Sequence, residues 1–81
     1  MKAVDEDRLV ARGLGPAGAL LLVRKRLEST NARRLRIIVT KAEAAAGLVE
    51  FFDGIGIGTE TDRAGDDYHV IADVSQTRND D

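Results

Sequence analysis

The chain has no cysteine and no tryptophan, and among its 81 residues there are only one proline, one histidine, two phenylalanines and one tyrosine. Without cysteine there are no disulfides, no thiolate or iron–sulfur ligation and no cysteine nucleophile. A single imidazole does not make a histidine cluster, so neither a metal nor a cofactor is expected. The longest apolar run, Ala19 to Val23, falls far short of the ~20 residues that cross a bilayer. Asp5-Glu6-Asp7 stands where a secretory leader needs a basic and then an apolar stretch. A cytoplasmic address is the expectation from these two absences.

What is present is the composition of a soluble globular domain, 43% hydrophobic and 32% charged. A chain of this size makes one domain that buries only about 60–65% of the surface its unfolded form exposes. Residues 1–74 are expected to form that domain. Residues 75–81 are polar, end in Asn79-Asp80-Asp81 and offer nothing apolar to anchor them, so a disordered tail is expected there.

The net charge of −2 hides a polarised distribution: residues 1–41 hold ten Lys/Arg against four Asp/Glu, residues 42–81 two against ten. Three arrangements are open. The basic half faces an anionic partner, basic and acidic surfaces of two molecules associate, or the two halves interleave their charges within one small domain.

Leu9-Val10-Ala11 reads as a first strand, closed by Gly13. Pro16 suits the first turn of a helix, where its missing N–H had no intrahelical partner. That helix is predicted from Pro16 to about Ser29, with Ala19, Leu20, Val23 and Leu27 on its inner stripe and Leu21 and Leu22 widening it. Arg24, Lys25, Arg26 and Glu28 fill the opposite arc. Leu35–Val39 is apolar enough to be a central strand covered on both faces.

Thr40 and Glu43 have the spacing of a capping box, opening a second helix to about Asp53 with Ala44, Ala45, Leu48, Phe51 and Phe52 inward. Gly54-Ile55 reads as its left-handed cap, and Gly47 in its interior calls for close backbone packing to offset its cost. Gly56–Thr61 and Tyr68–Val74 alternate as two strands of a hairpin around Arg63–Asp67. The order β-α-β-α-β-β predicts an α/β (α+β) two-layer sandwich, a four-stranded mixed sheet with both helices on one face.

This order, with Ala11-Arg12-Gly13-Leu14 before the first helix, Pro16 at its start and Thr40 opening a second helix that closes in Gly54-Ile55-Gly56, resembles the TusA/SirA-like family of small sulfur carriers over about Leu9 to Val74. In that family Arg-Gly-Leu is followed by Cys-Pro-x-Pro, with the cysteine at the helix N-terminus, where the dipole and free amides favour a persulfide anion. Arg12, Gly13, Leu14 and Pro16 match that motif, Gly15 occupies the cysteine position and Gly18 the second proline position. The resemblance therefore implies the scaffold and its helix-end geometry, while the reactive sulfur has no atom here to carry it.

From this follows the expected function: a non-catalytic TusA/SirA-like protein-binding module, not an enzyme, whose partner is another protein, one of sulfur-relay or redox chemistry by the resemblance. Its binding residues are expected to be Arg12, Gly13, Gly15, Pro16, Gly18, Arg24, Lys25 and Arg26. A second reading is an anion- or RNA-binding protein that uses the basic half, the cluster Arg24, Lys25, Arg26, Arg33, Arg34 and Arg36. A third is an accessory subunit of a sulfurtransferase whose cysteine belongs to a partner.

Other motifs carry less. Gly13-x-Gly15-x-x-Gly18 spells a dinucleotide fingerprint, but Ile37 and Ile38 stand near where an acidic residue must hold the ribose, and Pro16 removes an amide. The free amides near Ala17 and Gly18, with Arg12, offer a small-anion site of the kind any helix start provides. His69 is expected to be an exposed or hydrogen-bonded strand residue, Asp66-Asp67 to serve the turn, and Ser29, Thr30 and Ser75 to lack a nearby base.

Overall fold

The computed structural model describes residues 5–77. It shows the expected order: β1 (Glu6–Val10), α1 (Pro16–Leu27), β2 (Arg34–Val39), α2 (Ala42–Gly54), β3 (Thr59–Ala64) and β4 (Asp67–Asp73), followed by a 3₁₀ turn at Val74–Thr77. The four strands form one mixed sheet in the order β1-β2-β4-β3, parallel between β1 and β2 and antiparallel elsewhere.

Alternation assigns the faces. Leu9, Leu35, Ile37, Val39, Val70 and Ala72 point to the helical side and join Ala19 and Val23 of α1 and Ala44, Ala45, Leu48 and Phe52 of α2 in the core. Both helices therefore cover the same face, and burial of this apolar set is the main term favouring the fold. No polar or charged residue among those described is fully buried.

The start of α1 is set by Gly13, whose φ of +81° makes the tight turn out of β1, and by Pro16 in the first helical turn. Gly15 is the N-cap. Gly47 lies against Pro16: a Cβ added at Gly47 would stand 3.1 Å from the Pro16 Cβ. The missing side chain lets α2 approach the start of α1, the close packing that its position in the sequence called for.

Several local expectations are corrected. Thr40 does not cap α2, whose N-cap is Lys41 with no side-chain bond; the Thr40 Oγ1 instead accepts the Gly13 N–H at 3.0 Å. The strand-to-helix turn after β1 competes for that hydroxyl and wins. The left-handed cap is Gly56, not Gly54: the Ile57 N–H donates to the Phe52 carbonyl at 2.8 Å, the Gly56 N–H to the Asp53 carbonyl at 3.1 Å, and Gly56 has φ +81°. This is a Schellman closure with buried Ile57 against Phe52 as its apolar contact, while Ile55 is left exposed.

β3 accordingly starts at Thr59 instead of Gly56, and the hairpin loop shrinks to Gly65-Asp66, with Gly65 at φ +63° and Ala64 paired to Asp67. Leu21, read as part of the apolar stripe, is 66% exposed. At the C-terminal end, the Arg33 carbonyl accepts the Val74 and Ser75 amides, which carries ordered backbone into the first residues of the expected tail. Residues 78–81 of that tail lie outside those described.

Candidate functional site

Seven of the eight residues singled out in the sequence divide between the two ends of α1. Gly13, Gly15, Pro16 and Gly18 surround its N-terminus; Arg24, Lys25 and Arg26 form its last turn, about 15 Å away at 1.5 Å per residue. The structure does not bring them into one site. At the N-terminal end Gly18 packs on Leu14, and the space around the absent Gly15 Cβ is open. Gly15 has φ −80° and ψ −175°, an extended conformation that any residue adopts.

Two of the four basic candidates serve the fold. Arg12 grips Asp67 with both Nε and Nη2 at 3.0–3.3 Å, so it ties the end of β1 to the start of β4 and does not lean over the helix start. This bond holds the Asp67 carboxyl below its usual range. Arg26 donates to Asp7 Oδ1 at 2.9 Å, and the Thr30 hydroxyl donates to the other oxygen of the same carboxylate at 2.9 Å. Asp7 thus clamps the α1–β2 connection to β1. Arg24 and Lys25 remain exposed in the last turn of α1.

The sheet face opposite the helices carries what the sequence did not disclose. From β1 to β3 the register lines up Arg8, Arg36, Ile71 and Glu60 in one row and Val10, Ile38, His69 and Asp62 in the next; Glu6, Arg34 and Asp73 form a third. Arg36 sits between Glu6, which it bonds at 2.7 Å, and the His69 Nδ1, 2.8 Å from its Nη1. Arginine only donates, so the imidazole accepts at Nδ1 and carries its proton on Nε2. The bond from Arg36 lowers the Glu6 pKa, and Glu6 raises that of Arg36. Ile38 and Ile71 are 3% and 8% exposed although no helix covers them, so the long charged side chains around them lie across their surface.

Two shallow clefts of about 340 Å³ each open over this face, one lined by Arg34, Gly58, Thr59, Glu60, Ile71 and Asp73, the other by Arg33, Arg34, Asp73 and Ser75. Asp73 is held below the usual carboxylate range by the Ser75 hydroxyl and amide. Arg33 and Arg34, read only as members of a basic cluster, here flank a carboxylate.

Strand order also decides among the charge arrangements left open by the sequence. In the strand order β1-β2-β4-β3, β1 and β2 with α1 occupy one half of the molecule and β4 and β3 with α2 the other; α1 and β2 are net basic and α2, β4 and β3 net acidic, while β1 holds Glu6 and Asp7 against Arg8. The halves sit side by side, with Glu6 and Asp7 neutralised by Arg36 and Arg26 inside the basic one. The Arg12–Asp67 and Arg36–His69 bonds stitch the boundary.

Hydroxyls and imidazole are engaged locally: Ser29 with the Arg26 carbonyl, Thr30 with Asp7, Ser75 with Asp73, and His69 with Arg36. Among the described residues no three His, Asp or Glu side chains converge on a metal position, and no helix is long and apolar enough to cross a membrane. Comparison with protein-family models, with curated proteins and with solved structures finds no match.

Proposed function

We propose that the chain is a non-catalytic protein-binding module that presents a bipolar surface to its partner. The observation that carries this reading is the segregation of charge by strand order, which leaves Arg8, Arg24, Lys25, Arg33 and Arg34 on one half and Glu43, Glu50, Asp53, Glu60 and Asp62 on the other. Such a surface attracts and orients a complementary one, and charge complementarity governs encounter rate and specificity. The glycine N-cap of α1 supports the same reading. On a TusA/SirA-like scaffold, as the resemblance implies, the carrier position lacks its sulfur and recognition is the role left. The implied partner class is a protein of sulfur-relay or redox chemistry, and the cytoplasm is the corresponding address.

The test is capture with the immobilised chain against a variant carrying Arg24→Glu, Lys25→Glu and Arg34→Glu. A specific protein retained at low salt, released by salt and lost in the variant is the expected result. Retention that ignores both salt and the substitutions overturns the reading.

One observation favours RNA as the alternative partner: among the described residues the basic half keeps Arg8, Arg24, Lys25, Arg33, Arg34 and Lys41 exposed and outside the Arg12, Arg26 and Arg36 ion pairs. Its support stops there, since Phe51, Phe52 and Tyr68 all lie in the acidic half and the basic half has no ring for base stacking. Titration of labelled RNA at two salt concentrations separates the two readings. Tight binding that weakens steeply with salt favours RNA.

A further inference from the structure

We infer that the bipolar sheet face docks on a second copy of itself, making a two-fold dimer with its axis parallel to the strands between β2 and β4. The inference rests on the protein-binding reading above and names the partner. A rotation of 180° about that axis turns the open face over and exchanges left for right, so β1 of one copy lies over β3 of the other and β2 over β4. The register rows are kept. Arg8 then meets Glu60 of the second copy and Arg34 meets Asp73, each contact occurring twice.

The alternative axis, perpendicular to the strands, stacks β1 on β1 and β3 on β3, which sets arginine against arginine and acid against acid. Charge therefore selects one of the two face-to-face arrangements. One further feature agrees with it. Arg8, Arg34 and Glu60 are exposed and make no ion pair among the described residues, whereas Arg12, Arg26 and Arg36 are paired within the chain. In the same register Val10 lies over Asp62 of the second copy, so the contact is carried by charge and not by the exposed valine. At the axis Ile38 lies over His69 and Arg36 over Ile71 of the second copy.

The area sets the strength. Four strands at about 4.8 Å spacing and six residues at about 3.3 Å give a face of roughly 19 by 20 Å. Stacking two such faces buries roughly 760 Å² in total, below the ~1,000 Å² expected of a stable interface and in the range of weak, transient contacts. The dimer is thus weak, concentration-dependent and salt-sensitive.

Sedimentation velocity across a protein concentration series, at low and at high salt, reads the equilibrium directly. The expected result is reversible dimerisation that weakens about tenfold or more at high salt, and by a similar factor in Arg8→Glu alone or Glu60→Arg alone. The decisive arm mixes those two variants. In the mixed pair the two substituted side chains face each other with their charges exchanged, and the native Arg8 of one copy faces the native Glu60 of the other. Heterodimerisation therefore recovers to the wild-type level, which also shows that both variants are folded. A chain that stays monomeric throughout overturns the inference; salt-sensitive capture of a different protein in that case leaves the protein-binding reading standing. A dimer that ignores the charge reversals, or variants whose mixture fails to associate, overturns the docking geometry.

Discussion

Two glycines inside helices make opposite demands, and alanine substitution separates them. Gly18 is the third residue of α1, and a Cβ there meets Leu14 atoms at 3.4–3.7 Å, ordinary contact distances. Gly47 lies in the interior of α2, and a Cβ there stands 3.1 Å from the Pro16 Cβ, closer than two carbons pack without one moving. Each substitution gains about 0.5–1 kcal/mol from the lost backbone freedom of glycine. For Gly18→Ala that gain stands unopposed. At about 4–8 °C per kcal/mol for a domain of this size, Tm rises by roughly 2–8 °C.

For Gly47→Ala the same gain is set against overpacking at a helix–helix contact, about 1–3 kcal/mol, so stability is unchanged or falls by up to about 2.5 kcal/mol. The pair is compared by thermal melts and by urea unfolding with shared m-values, which keeps compactness out of the difference. A Gly47→Ala chain stabilised as much as Gly18→Ala would refute the close approach of α2 to Pro16.

Three other substitutions or conditions test particular contacts. Gly15→Cys finds open space and an unstrained backbone at the α1 N-cap; its thiol is expected to titrate below the ordinary ~8.5, and ultraviolet absorbance of the thiolate showing a pKa at or above that value refutes an active helix-end field. Asp7→Ala removes the acceptor of both Arg26 and Thr30 and is expected to cost about 1–2 kcal/mol by urea unfolding, with Asp7→Asn costing less; no loss in either variant rules out the clamp. Glu6, Asp67 and Asp73 are all held below their usual carboxylate range. Depressed folded values contribute stability above the unfolded pKa near ~4 and lose it as pH falls further. Unfolding free energy should therefore be flat down to about pH 5 and decline below it, less steeply in Glu6→Gln, and an equal slope in that variant removes Glu6 from the account.

The element order was legible because each signal was local. The Pro16 start, the apolar strand at Leu35–Val39, the helical spacing of apolar residues in α2 and the alternating hairpin each depend on residues within one turn or one strand. The misplaced details involve a competing use of the same residue. Thr40 has a cap partner three residues on, yet its hydroxyl goes to Gly13, which lies 27 residues earlier. Gly56 alternates with Ile57 as a strand residue does, but the helix end used it for a left-handed turn.

The candidate site was legible only as a list of residue types. That Arg12 is spent on Asp67 and that Glu6, Arg36 and His69 meet on the open face depend on β4 entering between β2 and β3, and that Arg26 is spent on Asp7 depends on α1 lying over β1. No pattern within a single element encodes that insertion.

The side-by-side halves also make this small protein a poor match for its own net charge. A molecule at −2 overall is ordinarily indifferent to a cation-exchange resin at neutral pH, but one with opposed ends turns to present whichever end the resin attracts. It should adhere to both resin types at low ionic strength, with the acidic end seated on one and the basic end on the other, and elute from both within the same narrow band of salt. Orientation, more than net attraction, is what such a particle contributes when it meets any charged boundary in the cell.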